Sequence, residues 1–412
     1  MPEIKPEIET FAKIKVIGVG GGGGSAVNRM IENGVKGVEF VAVNTDLQAL
    51  QNSAADYKVH IGRTTTRGLG AGMDPGLGRK SAEESQNEIR ELLKGTDLLF
   101  ITCGLGGGTG SGASPVVAEI SKEMGILTIA VVTKPFSFEG GPRRRIAEES
   151  LENLSQKVDT LITIPNDRIW QLIDKKTPLI DAFKVVDEVL RQGVQGISEL
   201  ITLPGLINVD FADVKAIMKS SGSALMGMGI ASGDNRAIEA AKGAVSSPLL
   251  EISVEGAKGI LFTIAGGESL TMYEVSEAAK VITDSVDADA KIIFGAVHND
   301  KLQDEIKITV VATGFDEKVA KDNILKVSNE PINYFQAKSS SPEIKEEKKE
   351  EVKVADNASQ MVNNFMSNAT QASQGQQQIQ EEVRSEGPRK TSESGSNDDE
   401  LDIPAFIRKK MM

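Results

Sequence analysis

Two glycine-rich runs, each set directly between a β-rich run and a helical pattern, constrain this chain more than any other feature. The first, Gly18-Val-Gly-Gly-Gly-Gly-Gly-Ser25, follows the β-rich run Lys13–Val19 and precedes a helical pattern over Ser25–Asn33. The second, Gly104-Leu-Gly-Gly-Gly-Thr-Gly-Ser-Gly112, follows Asp97–Cys103 and precedes a helical pattern over Ser114–Met124. Ordering a glycine costs more backbone entropy than ordering any other residue. A tight strand-to-helix turn needs one or two glycines, so five in a row call for a compensating contact. Bare amides at a helix N-terminus supply one, because they attract an anion.

One cradle alone would suit a dinucleotide, with Gly18, Gly20 and Gly23 at the phosphates and Asp46 on the ribose. A dinucleotide has one pyrophosphate and leaves the second cradle idle. Two cradles at the carboxyl end of one parallel sheet can divide a triphosphate chain between them. A P-loop is excluded, since no Lys-Ser/Thr pair follows the glycines where that loop requires it.

The surrounding pattern supports a parallel sheet. Val38–Asn44, Ile126–Thr133 and Val158–Ile164 are further β-rich runs, and Ser81–Lys94 reads as a helix between two of the strands. Strands alternating with helices give a doubly wound α/β fold. From Thr177 a long helix is expected, because Ile180, Phe183, Val186, Leu190, Val194, Ile197 and Ile201 follow three-and-four spacing. Val185 and Val189 extend its apolar surface to a second face, which predicts burial between two domains. A turn over Leu203–Asn208 and a helix opening near Asp210 come next. A second, smaller α/β domain with a mixed sheet is then predicted, with strands at Ala257–Ile264, Ala290–Val297 and Glu305–Thr313 and helices at Asn235–Ser246 and Thr271–Ser285.

After Phe335 the composition shifts to Ser, Gln, Asn, Glu and Lys, a mixture that cannot bury enough apolar area to order itself. The division expected is an arm over 1–12, a nucleotide domain over 13–176 and a central helix over 177–202. A loop and helix over 203–220, a second domain over 221–316, a disordered linker over 317–400 and a terminal peptide over 401–412 complete it. In that peptide Leu401, Ile403, Pro404, Phe406, Ile407 and Arg408 form an apolar cluster between acidic and basic runs. Such a segment suits docking in a partner's groove, and random-coil scaling gives the linker a reach on the order of 40–50 Å.

Composition removes other classes. A net charge of −13 argues against phosphate-backbone binding, so no nucleic-acid partner is expected. Cys103 is the only cysteine, and with His60 and His298 as the only histidines no Cys/His zinc cluster is available. No apolar run approaches the roughly 18 residues of a membrane span, and Met1–Thr10 lacks a signal-peptide core, so a cytoplasmic protein without direct membrane insertion is expected. His60 and His298 read as satisfied surface or core histidines and not catalytic ones, Trp170 and Phe183 as core or pocket wall, Met226 and Met228 as strand packing, and Cys103 as a small hydrophobe.

The run Gly106-Gly-Gly-Thr-Gly-Ser-Gly112 resembles the signature loop of the tubulin and FtsZ family. Val41-Ala-Val-Asn-Thr-Asp46, Gly68-Leu-Gly-Ala-Gly72, Thr133-Lys-Pro-Phe136, Ile164-Pro-Asn-Asp167 and Asn208-Val-Asp-Phe-Ala-Asp213 resemble the bacterial FtsZ branch in particular. The likeness spans roughly residues 12–316 and resumes at Leu401–Arg408. It implies a GTPase that polymerises head to tail and forms the cytokinetic ring at mid-cell, with GTP and GDP as substrate and product and Mg²⁺ held through phosphates and water.

The resemblance further implies that Gly21, Gly22, Gly23, Gly24 and Ser25 contact nucleotide, and that Gly108, Thr109 and Gly110 hold the β- and γ-phosphates. By the same likeness Glu139 and Arg143 line the ribose and phosphate side, while Asn166, Phe183 and Asp187 face guanine. Family members usually carry Asn at the position of Ser25, and Arg143 stands in a run of three arginines. Read from the residues alone, Asp210 and Asp213 are a helix cap and a first-turn acid. The resemblance instead makes Asp210, Asp213 and Asn208 the catalytic loop presented to the next subunit's nucleotide. It also implies that the tail meets membrane tethers and division regulators such as the actin-like FtsA. Mg²⁺ commonly keeps its waters and takes few protein ligands, so no protein side chain is expected as a metal ligand. Alternatives are a dinucleotide oxidoreductase, which would leave the second cradle without a purpose, and a family relative that binds GTP without hydrolysing it.

Overall fold

A computed structural model describes residues 12–315 except 172, 174–175, 203–204, 248, 251–253 and 300–301. The expected linker and the terminal peptide Leu401–Arg408 lie outside the described residues.

Strands β1 (Ile14–Val19), β2 (Glu39–Asn44), β3 (Tyr57–His60), β4 (Leu98–Gly104), β5 (Leu127–Lys134) and β6 (Thr160–Pro165) pair in parallel in the order β3-β2-β1-β4-β5-β6. Helices α1 (Gly20–Glu32), α2 (Leu47–Gln51), α3 (Pro75–Glu84), α4 (Gln86–Leu92), α5 (Gly108–Glu123) and α6 (Gly141–Ser155) connect them. The near-continuous apolar strands fit a sheet covered on both faces. Ala26, Val27 and Met30 of α1 pack into one core cluster, and Ala113, Val116 and Val117 of α5 into another. Between β1 and β4 the order of the strands reverses, and this switch point is where open α/β sheets bind ligands.

Helix α7 (Leu179–Thr202) follows, then α8 (Phe211–Met218), β7 (Gly222–Ser232), α9 (Arg236–Val245), β8 (Gly259–Gly266), α10 (Met272–Thr283), β9 (Lys291–His298) and β10 (Glu305–Thr313). Strand β7 joins the two halves: Gly222–Ala224 pair in parallel with Thr160–Ile162 of β6, and the rest runs antiparallel to β10. With β8 antiparallel to β10 and β9 parallel to β8, the second domain is mixed, and one ten-stranded sheet results. As its two apolar faces predict, α7 buries Val186, Leu190, Val194 and Ile197 in a cluster that also holds Ile129 and Ile162 of the first domain and Leu261 and Val311 of the second.

The structure departs from the sequence pattern in three places. The expected helix over Ser81–Lys94 is two helices, α3 and α4, broken at Ser85. Strand β7 is glycine-rich and lacks the strong apolar alternation that marks a strand; Cβ atoms at Gly227 and Gly229 would collide with the Ala244 and Ala240 carbonyls of α9. Finally, α1 and α5 begin at Gly20 and Gly108, so much of each glycine run is the first turn of a helix instead of a preceding loop.

Candidate functional site

The two glycine runs meet at the switch point. A Cβ on Gly20, whose φ is +72°, would lie 2.9 Å from the Gly110 amide nitrogen, and one on Gly22 would lie 3.2 Å from the Gly104 nitrogen. One on Gly110 would lie 2.8 Å from the Gly104 carbonyl oxygen. A Cβ on Gly23 would collide with the Thr102 carbonyl, and one on Gly112 with the Pro75 carbonyl. These glycines let backbone press on backbone. Gly21, Gly24 and Gly107 differ, because a Cβ there would meet nothing within 4 Å. In a helix Ala is favoured over Gly by about 1 kcal/mol, so Gly21 and Gly24 cost stability with no protein contact to explain them. Room for a ligand beside the helix N-termini does explain them.

Local chemistry sets the second cradle. The Ser111 hydroxyl accepts from the Gly106 amide at 2.9 Å, so this hydroxyl fastens the loop itself. Pro115 lies within α5 and cannot donate to the Ser111 carbonyl as a residue four further on normally does. The Ser150 hydroxyl of α6 fills that carbonyl at 2.8 Å. Thr109 lies between the cradles, and its hydroxyl is 2.6 Å from that of Thr45.

A third segment, residues 62–73, completes this wall and is absent from the sequence-derived residue set. Gly62, Arg67, Gly68, Gly70, Gly72 and Met73 all have positive φ. At its start Glu84 accepts from the Thr64 amide at 2.9 Å and from the Thr65 hydroxyl at 2.8 Å, and the Thr64 bonds lead those that pull its carboxyl down to about 2. At its end Asp74 caps α3 by accepting from Gly76 N at 2.8 Å. Ala71 then sits where a Gly108 side chain would fall, 2.9 Å from such a Cβ. The spaced glycines before Asp74-Pro75 were the signal available for this loop. His60, expected to be satisfied, keeps its buried Nε2 without a partner beneath Gly68, because this loop folds back over β3.

Across α1 a cavity of about 280 Å³ is lined by Gly21, Gly24, Ser25, Asn28, Asn44 and Asn52 among others. Ser25 is exposed and opens onto it. On the side of β5 and β6, Glu139 accepts from Phe136 N at 2.9 Å and pairs with Arg143 at 2.8 Å. Of the three arginines, Arg143 is the one paired with Glu139, and its backbone carbonyl lies 3.0 Å from where a Gly106 Cβ would stand. Arg144 pairs outward with the exposed Glu148 at 3.0 Å.

Asn166, at the end of β6, is buried with its Oδ1 unpartnered, an acceptor lacking a donor. Phe183 packs edge-on against Phe136 at 5.6 Å and is 42% exposed. One turn along α7, burial pushes the Asp187 carboxyl up to about 6, opposed by Arg29 and reinforced by Glu32. The Trp170 side chain lies outside what is described, and Cys103 is fully buried, its thiol pushed up to about 11 by burial.

Asn208, Asp210 and Asp213 lie elsewhere. Asp210 is the N-cap of α8, accepting from Asp213 N at 2.8 Å, as the cap reading requires. The Asn208 side chain accepts from Gly205 N at 2.6 Å, and Leu206 N bonds the Ala296 carbonyl of β9 at 2.8 Å. This segment is thus fixed to the second domain at the C-terminal end of α7. The helix rises about 28 Å between Phe183 and Thr202, at about 1.5 Å per residue, so the structure does not bring these carboxylates to the cradles of the same chain.

Residues 13–174 match the model of the tubulin/FtsZ family GTPase domain, and residues 222–316 that of the FtsZ family C-terminal domain. An empty FtsZ dimer of M. jannaschii is 47% identical with a TM-score of 0.72, covering 74% of this chain and 89% of that one. The chain belongs to the FtsZ family. It is therefore a tubulin-like GTPase in its general class. Two solved CetZ structures of Haloferax volcanii, a GTPgS-bound CetZ2 protofilament and a GDP-bound CetZ1 monomer, share the FtsZ-like fold at 22% identity, with TM-scores of 0.63 and 0.65 and coverage of 77% of this chain and 100% of theirs. In this FtsZ-family chain the two cradles, the 62–73 loop and the Asn166–Asp187 side fall in the first matched region and α7, whereas Asp210 and Asp213 fall between the two matched regions.

Proposed function

We propose that this chain hydrolyses GTP only when assembled head to tail, each subunit supplying Asp210 and Asp213 to the nucleotide held by its neighbour. The observation that carries this reading is the length of α7 between the cradles and the carboxylates. Phosphoryl transfer to water needs positioning, charge stabilisation and an oriented water, and the cradles supply only the first two. Asp210 and Asp213 are both exposed, as groups meant for another molecule must be. Apolar side chains are exposed at the same two ends. Leu69 (87%) and Phe138 (59%) stand in loops after parallel strands of the first domain, and Leu206 (68%) and Met272 (74%) near the ends of β9 and β8. Unlike patches at opposite ends make heterologous contacts that do not close, which generates filaments.

Within one subunit, Gly21, Gly22, Gly23, Gly24 and Ser25 hold one part of the phosphate chain, and Gly108, Thr109 and Gly110 the β- and γ-phosphates. Arg143, set by Glu139, lies on the ribose side. Guanine offers N1–H and 2-amino donors, which suit the unpartnered Asn166 Oδ1 and the Asp187 carboxylate, with Phe183 as a wall. The described residues hold no group of three His, Cys, Asp or Glu side chains suited to a metal, so Mg²⁺ would ride on phosphate oxygens and its own waters. In the cell this assembly would form the mid-cell cytokinetic ring, tethered through Leu401–Arg408 by partners such as FtsA. No helix among the described residues is long and apolar enough to cross a membrane.

The test is the GTPase rate per subunit against protein concentration. A rate near zero below a threshold and rising above it is the expected result; a rate independent of concentration would show that each subunit is complete alone.

The Asp187 carboxyl gives a pH signature. Its raised value means that the free chain holds the proton up to about pH 6, whereas guanine's two donors require the ionised form. Guanine-nucleotide affinity of unassembled subunits should therefore fall as pH drops through about 6 and level off above it. Asp187→Asn should bind weakly at every pH and lose this step, as read by calorimetric titration between pH 5 and 8.

A further inference from the structure

Thr45, the residue after β2, is fully buried at the point where three segments converge. Its hydroxyl lies 2.6 Å from that of Thr109. Its carbonyl oxygen accepts from the Gly70 amide at 3.3 Å and lies 3.4 Å from the Thr66 hydroxyl, which has a shorter contact of 3.0 Å to the Gly62 carbonyl, all in the 62–73 loop. Thr109 itself is held under the first cradle, its Cβ 3.3 Å from where a Gly20 Cβ would stand.

Two hydroxyls at this separation share one proton between them, and either can be the donor. A phosphate oxygen only accepts. If Thr109 gives its proton to phosphate, its own oxygen is left as an acceptor facing Thr45, and the Thr45 hydroxyl is the group placed to fill it. We propose that Thr45 is a positioning residue that makes Thr109 a phosphate donor, through a relay from the Thr45 hydroxyl to Thr109 and from the Thr109 hydroxyl to nucleotide phosphate. This rests on the reading of the cradles as a GTP site and adds to it a residue outside the glycine runs. The relay is cooperative, since a hydroxyl that accepts a bond donates a stronger one, and the bond to phosphate is charge-assisted. The Thr45 carbonyl, by accepting from the Gly70 amide, ties the backbone that carries this hydroxyl to the 62–73 loop.

The alternative is that Thr45 only fills space between the loops. Dissociation constants for a non-hydrolysed GTP analogue, measured below the assembly concentration, separate the two. Thr45→Val keeps the shape and removes the proton, and it should weaken binding about 10-fold, while Thr45→Ser restores the affinity. In a Thr109→Val background Thr45→Val should cost nothing further, because the relay has already lost its terminal donor. A 10-fold loss from Thr45→Val in both backgrounds, or none in either, would overturn the relay. If Thr45→Val does not fold, Thr45→Ala with Thr109→Ala carries the same comparison. A wild-type chain that binds no guanine nucleotide would overturn the GTP reading and the relay with it; additive variants on a wild type that binds would overturn the relay alone.

Discussion

Asp210→Asn and Asp213→Asn should each lower the GTPase rate of assembled protein on the order of 10²-fold while leaving nucleotide affinity of the lone subunit unchanged. The asymmetry follows from position. Each side chain is exposed and fixed to the second domain, a helix length from the cradles of its own chain. Loss of an Asp210 carboxylate oxygen also weakens a cap, but Asn is itself a good N-cap, so α8 should hold and thermal stability should change by well under 1 kcal/mol. A mixing experiment reads the mechanism directly. If catalysis occurs in trans, Asp210→Asn subunits that still bind GTP should be partly rescued by subunits whose own cradle is disabled but whose Asp210 is intact. No rescue, with both partners shown to co-assemble, would place the missing catalytic group within one chain.

The second large effect separates glycines that serve packing from those that serve the ligand. Gly112→Ala drives a Cβ into the Pro75 carbonyl and forces α3 from α5, so it should destabilise the fold by about 1–3 kcal/mol or more and deplete soluble protein. Gly107→Ala places its Cβ in open space on a residue whose φ is −92°, a conformation Ala adopts freely. It should melt with the wild type yet bind guanine nucleotide at least 10-fold more weakly, a loss of about 1.4 kcal/mol. Thermal melts and nucleotide titrations on the same two proteins check this. Equal affinity for Gly107→Ala and wild type would remove the ligand from that side of the second cradle.

What the amino-acid sequence determined by itself was local or periodic in nature. Apolar β-rich runs alternating with helical patterns specified a parallel sheet, and two apolar faces on 177–202 specified a helix buried between domains, since burial of such faces has few geometrical solutions. The glycine density pointed to anion cradles because entropy lost without compensation is not otherwise explained. Asp210 as a cap was legible because a side chain bonding an amide three residues on needs no tertiary contact.

Tertiary structure decided whatever depends on long-range contacts. Only the folded chain shows that Gly20 and Gly110 press together while Gly21 and Gly107 face empty space, a distinction that no spacing encodes. Thr45 and the 62–73 loop fall in or around segments that carry the family resemblance, but their place at the site follows from a bond between residues 64 positions apart and from Glu84 fastening a loop some twenty residues before it. Of three consecutive arginines, the folded chain pairs Arg143 with Glu139 and Arg144 with Glu148, partners that the run of arginines does not itself distinguish. Of strand β7 the sequence showed only strand packing at Met226 and Met228, because its glycines serve the helix above it, and through β7 two sheets become one. The separation of Asp210 and Asp213 from the phosphate cradles likewise follows from how α7 is packed, and the proposal of a site completed by a second subunit rests on that packing.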